Sequence, residues 1–146
     1  AQDGLCAPAG DEIGLVTRAR QARGKAARLS GRRAEVICTL LLMLKGYRIL
    51  GFRVPTRLGE IDILATRGGV LAVVEVKRRG DPATALQAVT AEQRERLRRA
   101  GAQIGAATPR LSGLSVRLDL IAIAPGRLPR HIPDAWPTDS GESQRF

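Results

Sequence analysis

Asp62, Glu75 and Lys77 are the residues of this chain whose types and spacing could do chemistry together. Glu75 and Lys77 close the run Val70, Leu71, Ala72, Val73, Val74, which is apolar at every position. Such a run reads as a strand covered on both faces. Side chains two apart on a strand share a face, so Glu75 and Lys77 point the same way. A charged pair ending a buried strand costs free energy unless something compensates it. Asp62 joins them through a turn. Gly68 and Gly69 separate two strand-like runs, and a Gly-Gly pair is a hairpin signal. With these two residues as the whole turn, Arg67 faces Val70. Counting back along both strands then sets Asp62 opposite Glu75 and Glu60 opposite Lys77. A four-residue loop would break that opposition.

Directly opposed side chains have Cβ atoms about 4.5–5.5 Å apart. Two carboxylates that close repel, and one normally takes up a proton. A divalent cation removes the conflict by using both as ligands, and hard oxygen donors suit Mg²⁺ or Mn²⁺. Lys77 could orient or help deprotonate a water, or stabilise charge developing on a phosphate. The metal would activate the water and polarise the phosphoryl oxygen. Together the three make a site for phosphodiester hydrolysis. The same residues also fit a salt-bridged hairpin, with Glu60 on Lys77 and with Asp62 and Glu75 solvated at a strand end.

The surrounding pattern supplies elements to position such a site. Ser30 caps an expected helix reaching about residue 45. Its apolar positions Ala34, Ile37, Cys38, Leu41, Leu42 and Leu44 follow the spacing of a buried stripe, and Gly46 stops it. Strands are expected over residues 47–54, 60–65 and 70–76. A break at Gly80-Asp81-Pro82 precedes a short helix over 83–89. Thr90 with Gln93 resembles a capping box, opening a helix to about residue 104. Residues 115–123 read as a further strand. The order α-β-β-β-α-β predicts an α/β fold, a sheet with helices packed on it. Three segments follow: a flexible basic arm over 1–29, one domain over 30–124, and a Pro- and Gly-rich tail over 125–146.

The chain of 146 residues is long enough for one core, and with only 3% aromatics that core is aliphatic. So few rings argue against a reader that works by stacking bases. They also argue against an interaction domain, since interface cores favour Tyr, Trp and Phe. A net charge of +10 favours a polyanionic partner, nucleic acid above all. Residues 15–33 hold seven Arg and Lys and no acid. They suit either a basic arm lying on phosphates or a solvated tail. The acids Asp3, Asp11 and Glu12 ahead of them speak against a transit peptide. Cys6 and Cys38 do not make a disulfide scaffold, which fits a reducing, cytoplasmic setting. His131, the only histidine, leaves no Cys or His cluster for structural zinc. No apolar run reaches the length of a membrane span.

The stretch Gly59-Glu-Ile-Asp62, twelve residues, then Glu75-Val-Lys77 resembles the PD-(D/E)xK nuclease pattern. Adding Gly31-Arg-Arg-Ala-Glu35, Gly46-Tyr-Arg-Ile-Leu50, Val73-Val-Glu-Val-Lys-Arg78 and Ala88-Val-Thr90, the chain over about residues 30–123 resembles the YraN family. These are small bacterial endonuclease-like proteins related in fold to archaeal Holliday-junction resolvases. The resemblance implies a restriction-endonuclease-like mixed sheet flanked by helices. It also implies a Mg²⁺- or Mn²⁺-dependent endonuclease on DNA, with branched or damaged DNA among the substrates to expect. Asp62 and Glu75 match the metal carboxylates and Lys77 the catalytic lysine. Glu35 matches an acid sent to the metal by the first helix; the alternative is an acid favoured by the helix dipole. Gln87 matches a glutamine of some relatives, or is a surface residue. Arg32, Arg33, Arg57, Arg78, Arg79 and Arg94 are the candidate nucleic-acid contacts. Junction-cutting relatives are symmetric dimers, so a homodimer is an expectation too. The chain departs from the pattern at Ile61, where the superfamily has Pro, and at Gln93, where many YraN-like chains have Lys. A non-catalytic nucleic-acid-binding module on the same fold is the competing reading.

Overall fold

The computed structural model describes residues 31–79 and 81–138. The expected arm at residues 1–29, the Ser30 cap and Cys6 lie outside them. The chain divides into two compact units, Ala1–Val36 and Ile37–Phe146. The described part of the first is helical, residues 31–36.

Residues 31–44 form helix α1, and Gly46 ends it as expected. Gly46 sits at φ 87° and donates its N–H to Met43, while the Tyr47 N–H donates back to Leu42. This is a Schellman closure, and its customary apolar contact is present, since Tyr47 and Leu42 share one cluster. Five strands follow: β1 (Arg48–Thr56), β2 (Gly59–Arg67), β3 (Val70–Arg78), β4 (Ser115–Ile123) and β5 (Arg130–Ile132). Helices α2 (Pro82–Gln87) and α3 (Ala91–Ala107) lie between β3 and β4. The sheet order is β1-β2-β3-β4-β5, antiparallel except for the parallel β3–β4 pair. A parallel pair needs a crossover long enough to carry helices, and α2 and α3 provide it.

Both faces of the sheet are covered, as the continuous apolar run in β3 requires. One layer packs Leu71, Val73, Leu118 and Leu120 with Leu97 and Ala100 of α3. The other packs Ala72, Val74, Ile63 and Ile121 with Cys38 and Leu42 of α1. The α/β fold is that expected, the element order matches as far as β4, and the arrangement is compatible with a restriction-endonuclease-like core. No helix among the described residues is long and apolar enough to cross a membrane.

The expected tail is corrected in part. Residues 130–138 belong to the domain: β5 adds to the sheet, and Trp136 is 9% exposed against the core. Trp136 Nε1 donates to the Leu86 carbonyl at 3.3 Å, and the Ala135 N–H donates to Leu118 at 2.9 Å. A three-residue strand carries no period of its own. Its place is set by these tertiary contacts rather than by local pattern.

α3 approaches the sheet through glycine. A Cβ on Gly101 would lie 2.7 Å from Val73 Cγ2 and 3.0 Å from Val116 Cγ1. Alanine elsewhere in a helix gains about 1 kcal/mol over glycine. At residue 101 overpacking against two stiff β-branched side chains costs about 1–3 kcal/mol. Gly101→Ala is therefore expected to lower stability in a urea titration, and a stabilised variant would contradict this close approach.

Candidate active site

The register expected from the glycine turn is present as far as Ile63–Val74, and the ladder stops before the expected Asp62–Glu75 and Glu60–Lys77 pairs. Gly68 stands at φ 55°, as a two-residue turn with positive φ at its first central position requires. Pairing runs from Arg67–Val70 to Ile63–Val74. One step further a side chain takes over, and the Val76 N–H donates to Asp62 Oδ2 at 2.8 Å. That bond holds Asp62 against β3. The Asp62 and Glu75 carboxyl groups are within hydrogen-bonding reach of each other.

Glu75 is 6% exposed, so it is not a solvated strand end. Its Oε1 accepts from Lys77 Nζ at 2.9 Å and from Gln93 Nε2 at 3.2 Å. Lys77 thus pairs with its neighbour on the same face of β3, rather than with Glu60 as in the alternative salt-bridged hairpin. Two donors converge on one oxygen, leaving Oε2 as the remaining acceptor edge. Burial, and then the charge of Glu75, push the Asp62 carboxyl up to about 6, against the lowering effects of the Val76 N–H and Lys77. Two carboxylates this close disfavour each other's ionisation, and the Lys77 ammonium offsets this only in part.

Gln93 is a site residue that the sequence presents only as a departure from the family. The first turn of α3 delivers it: Thr90 Oγ1 accepts from the Gln93 N–H at 3.1 Å, and the carboxamide turns toward the sheet. The capping spacing places Gln93 at the third helical position. Its reach to Glu75 depends on how α3 packs on β3, which spacing does not contain. A cavity of about 210 Å³ opens alongside, lined by Leu58, Gly59, Glu60, Gln93, Arg96 and Leu97.

The other candidates are placed as follows. Glu35 lies on α1 within the first unit, and its role rests on the sequence resemblance alone. Arg32 and Arg33 are exposed in that same unit, and Arg57, Arg78 and Arg79 are exposed in the second. Arg94 is engaged within the fold: its Nε donates to the Val89 carbonyl at 3.1 Å and its guanidinium lies 5.3 Å from the centre of the Trp136 ring. Gln87 is exposed. Among the described residues no group of three or more His, Cys, Asp or Glu side chains is placed to hold a metal ion.

A second polar cluster lies on the α1 face of the sheet. Asp119 is fully buried and accepts from Arg117 Nε at 2.7 Å, Arg117 Nη2 at 2.8 Å and the Asp134 N–H at 3.0 Å. His131 Nε2 lies 2.8 Å from Asp119 Oδ2, and Lys45 Nζ lies 3.2 Å from His131 Nδ1. An ammonium only donates, so Nδ1 accepts and Nε2 carries the proton given to Asp119. Arg117 also donates to the Tyr47 hydroxyl at 2.5 Å. The network ties β4 to β5 and to the end of α1.

A five-stranded mixed sheet flanked by helices makes this an α/β protein whose architecture is compatible with a restriction-endonuclease-like core. The chain belongs to the uncharacterised protein family UPF0102, whose model matches residues 34–123. This is the YraN-like family, within the PD-(D/E)xK nuclease-like superfamily. A UPF0102 protein of Caulobacter sp. (strain K31) is 66% identical over 125 residues, covering 86% of this chain and 90% of the relative. One from Caulobacter vibrioides (strain NA1000 / CB15N) is 67% identical, covering 80% of this chain and 94% of the relative. One from Parvibaculum lavamentivorans is 47% identical, covering 79% and 86%.

Proposed function

We propose that this chain is a metal-dependent nuclease that hydrolyses phosphodiester bonds, with DNA as its substrate. The observation that carries this reading is the acidic pair on adjacent strands: Asp62, held against β3 by the Val76 N–H, and Glu75, paired with the Lys77 ammonium. Burial and then the neighbouring Glu75 raise the proton affinity of Asp62, and a divalent cation held between the two acids would offset both. Two hard oxygen donors there fit Mg²⁺ or Mn²⁺. Asp62 and Glu75 would hold the ion. Once bound, the ion supplies an acidified water and a polarised phosphoryl oxygen.

The chain's own groups divide the remaining work. The Val76 N–H fixes one Asp62 oxygen, and Lys77 with Gln93 fixes one Glu75 oxygen. Each carboxylate is thereby oriented before substrate arrives. Lys77 has three N–H donors, and those not spent on Glu75 can meet a phosphate oxygen as charge grows on it. The net charge of +10 draws a polyanion toward the site.

Incubation with duplex, single-stranded and four-way-junction DNA in Mg²⁺ or Mn²⁺ tests the reading, beside a Glu75→Gln variant. Cleavage is expected with the ion and is expected to vanish in chelator and in the variant. Cleavage that survives either condition would reject the mechanism. Binding without cleavage of any substrate would favour the non-catalytic module.

A further inference from the structure

Three arginines gather at the end of the sheet where Lys77 lies. Arg79 follows β3, Arg127 lies in the β4–β5 connection, and Arg130 begins β5. With Asp81, Ala122 and Leu128 they line a cavity of about 50 Å³, room for a group of a few heavy atoms. Among the described residues no carboxylate pairs with any of the three arginines. Both Asp81 oxygens are already occupied by Thr84, through its N–H at 2.9 Å and its hydroxyl at 2.7 Å.

Register ties this cavity to the candidate site. Lys77 pairs with Ala122, and Ala122 pairs with Arg130. Residues paired across neighbouring strands share a face, so Lys77, Ala122 and Arg130 form one row on the α3 side of the sheet. Two strand spacings separate the ends of that row by about 10 Å. Ala122 itself is buried, so a strand following the row passes the exposed C-terminal ends of β3 and β4, where Arg79 and Arg127 stand. A nucleic-acid strand rises about 3.4 Å per nucleotide, so it covers that distance within about three nucleotides.

We propose that Arg79, Arg127 and Arg130 form a phosphate subsite that grips the nucleic-acid backbone within about three nucleotides of the bond cut at Asp62, Glu75 and Lys77. The inference rests on the nuclease reading and adds the path of the strand. It requires the backbone to run across β3, β4 and β5, from the acidic pair toward the arginines.

The test is duplex-DNA affinity against salt concentration, by fluorescence anisotropy in chelator, for Arg127→Glu/Arg130→Glu and for the milder Arg127→Ala. Arg110→Glu, an exposed position before the start of β4 at its opposite end, is the control. Each phosphate contact contributes about 0.9 to the slope of log affinity against log salt. The double variant is expected to lower that slope by about 2 and weaken binding at least about tenfold at 0.1 M salt, and Arg127→Ala to lower the slope by about 1. The control should leave the slope unchanged. An unchanged slope in both Arg127 variants, with cleavage still dependent on Glu75, overturns the subsite and leaves the nuclease reading standing. Cleavage that persists in Glu75→Gln overturns the nuclease reading instead, whatever the slopes.

Discussion

Replacing Asp119 by alanine is expected to destabilise the protein by about 3–5 kcal/mol, the cost of removing one partner from a buried ion pair. For a chain of this size that lowers the melting temperature by about 10–15 °C. Asp119 has no exposed surface, and the substitution strands the Arg117 fork, the His131 ring and the Asp134 N–H at once. Burial alone would raise the Asp119 carboxyl. Hydrogen bonds from His131 and Arg117 outweigh it and hold the group below its ordinary value of 3.8. The sign follows from linkage: a lowered acid contributes stability above its ordinary value, and that contribution is lost as pH falls through the lowered one. Asp119→Asn should also destabilise, because Arg117 keeps its charge without a counterion. The double variant Asp119→Leu/Arg117→Met should recover much of the loss, since an apolar pair needs no partner. Denaturant titrations of the three variants measure this. A loss below about 1 kcal/mol for Asp119→Ala would show the network to be dispensable.

Asp62→Asn is expected to move stability and activity in opposite directions. Asparagine keeps an oxygen for the Val76 N–H but removes the charge that Glu75 repels. The Asp62 carboxyl rises to about 6 in the fold, so the folded state binds its proton more tightly than the unfolded chain does. The Asp62 contribution to the stability of metal-free protein is therefore fully present below the ordinary pKa and is lost as pH rises through about 6. The loss is about 1–2 kcal/mol after allowance for the partial exposure of the group. Asp62→Asn should flatten this dependence and melt several degrees higher than the parent at pH 8 in chelator. A divalent ion should restore the parent at pH 8 and do little for the variant. Nuclease activity in the variant should fall about 10²–10³-fold, the scale of removing a preorganised electrostatic group. Thermal melts at pH 5, 6.5 and 8, with and without Mn²⁺, check the first half. A parent whose melting point rises steadily from pH 5 to 8 in chelator would contradict it.

Much of the central hairpin is legible in the sequence itself, because a two-residue glycine turn fixes pairing by counting. The apolar run from Val70 to Val74 likewise announces a strand covered on both sides. Gln93, Asp119 and the C-terminal segment are hidden there for one shared reason: each acquires its role from a partner far away in the chain. Gln93 meets Glu75, Asp119 meets His131, and Trp136 meets Leu86. Signals for two of them exist. An acid inside the apolar run from Leu118 to Ile123 demands a buried partner, and the only histidine and the only tryptophan lie in the segment expected to be a tail. Composition rich in Pro and Gly masks both cues.

The closeness of Gly101 to Val73 reaches beyond packing. Gly101 stands eight residues after Gln93 on α3, about 12 Å along the helix axis. The absent side chain works as a spacer gauge, setting the stand-off between helix and sheet. Gln93 hangs from the same rod, so its span to Glu75 is set by that stand-off. A methyl group at residue 101 that lifts α3 would slacken the amide's hold on Glu75 and leave the acid steadied by Lys77 alone. Precision at the acidic pair is thus partly stored two helical turns away, in a residue with no functional group.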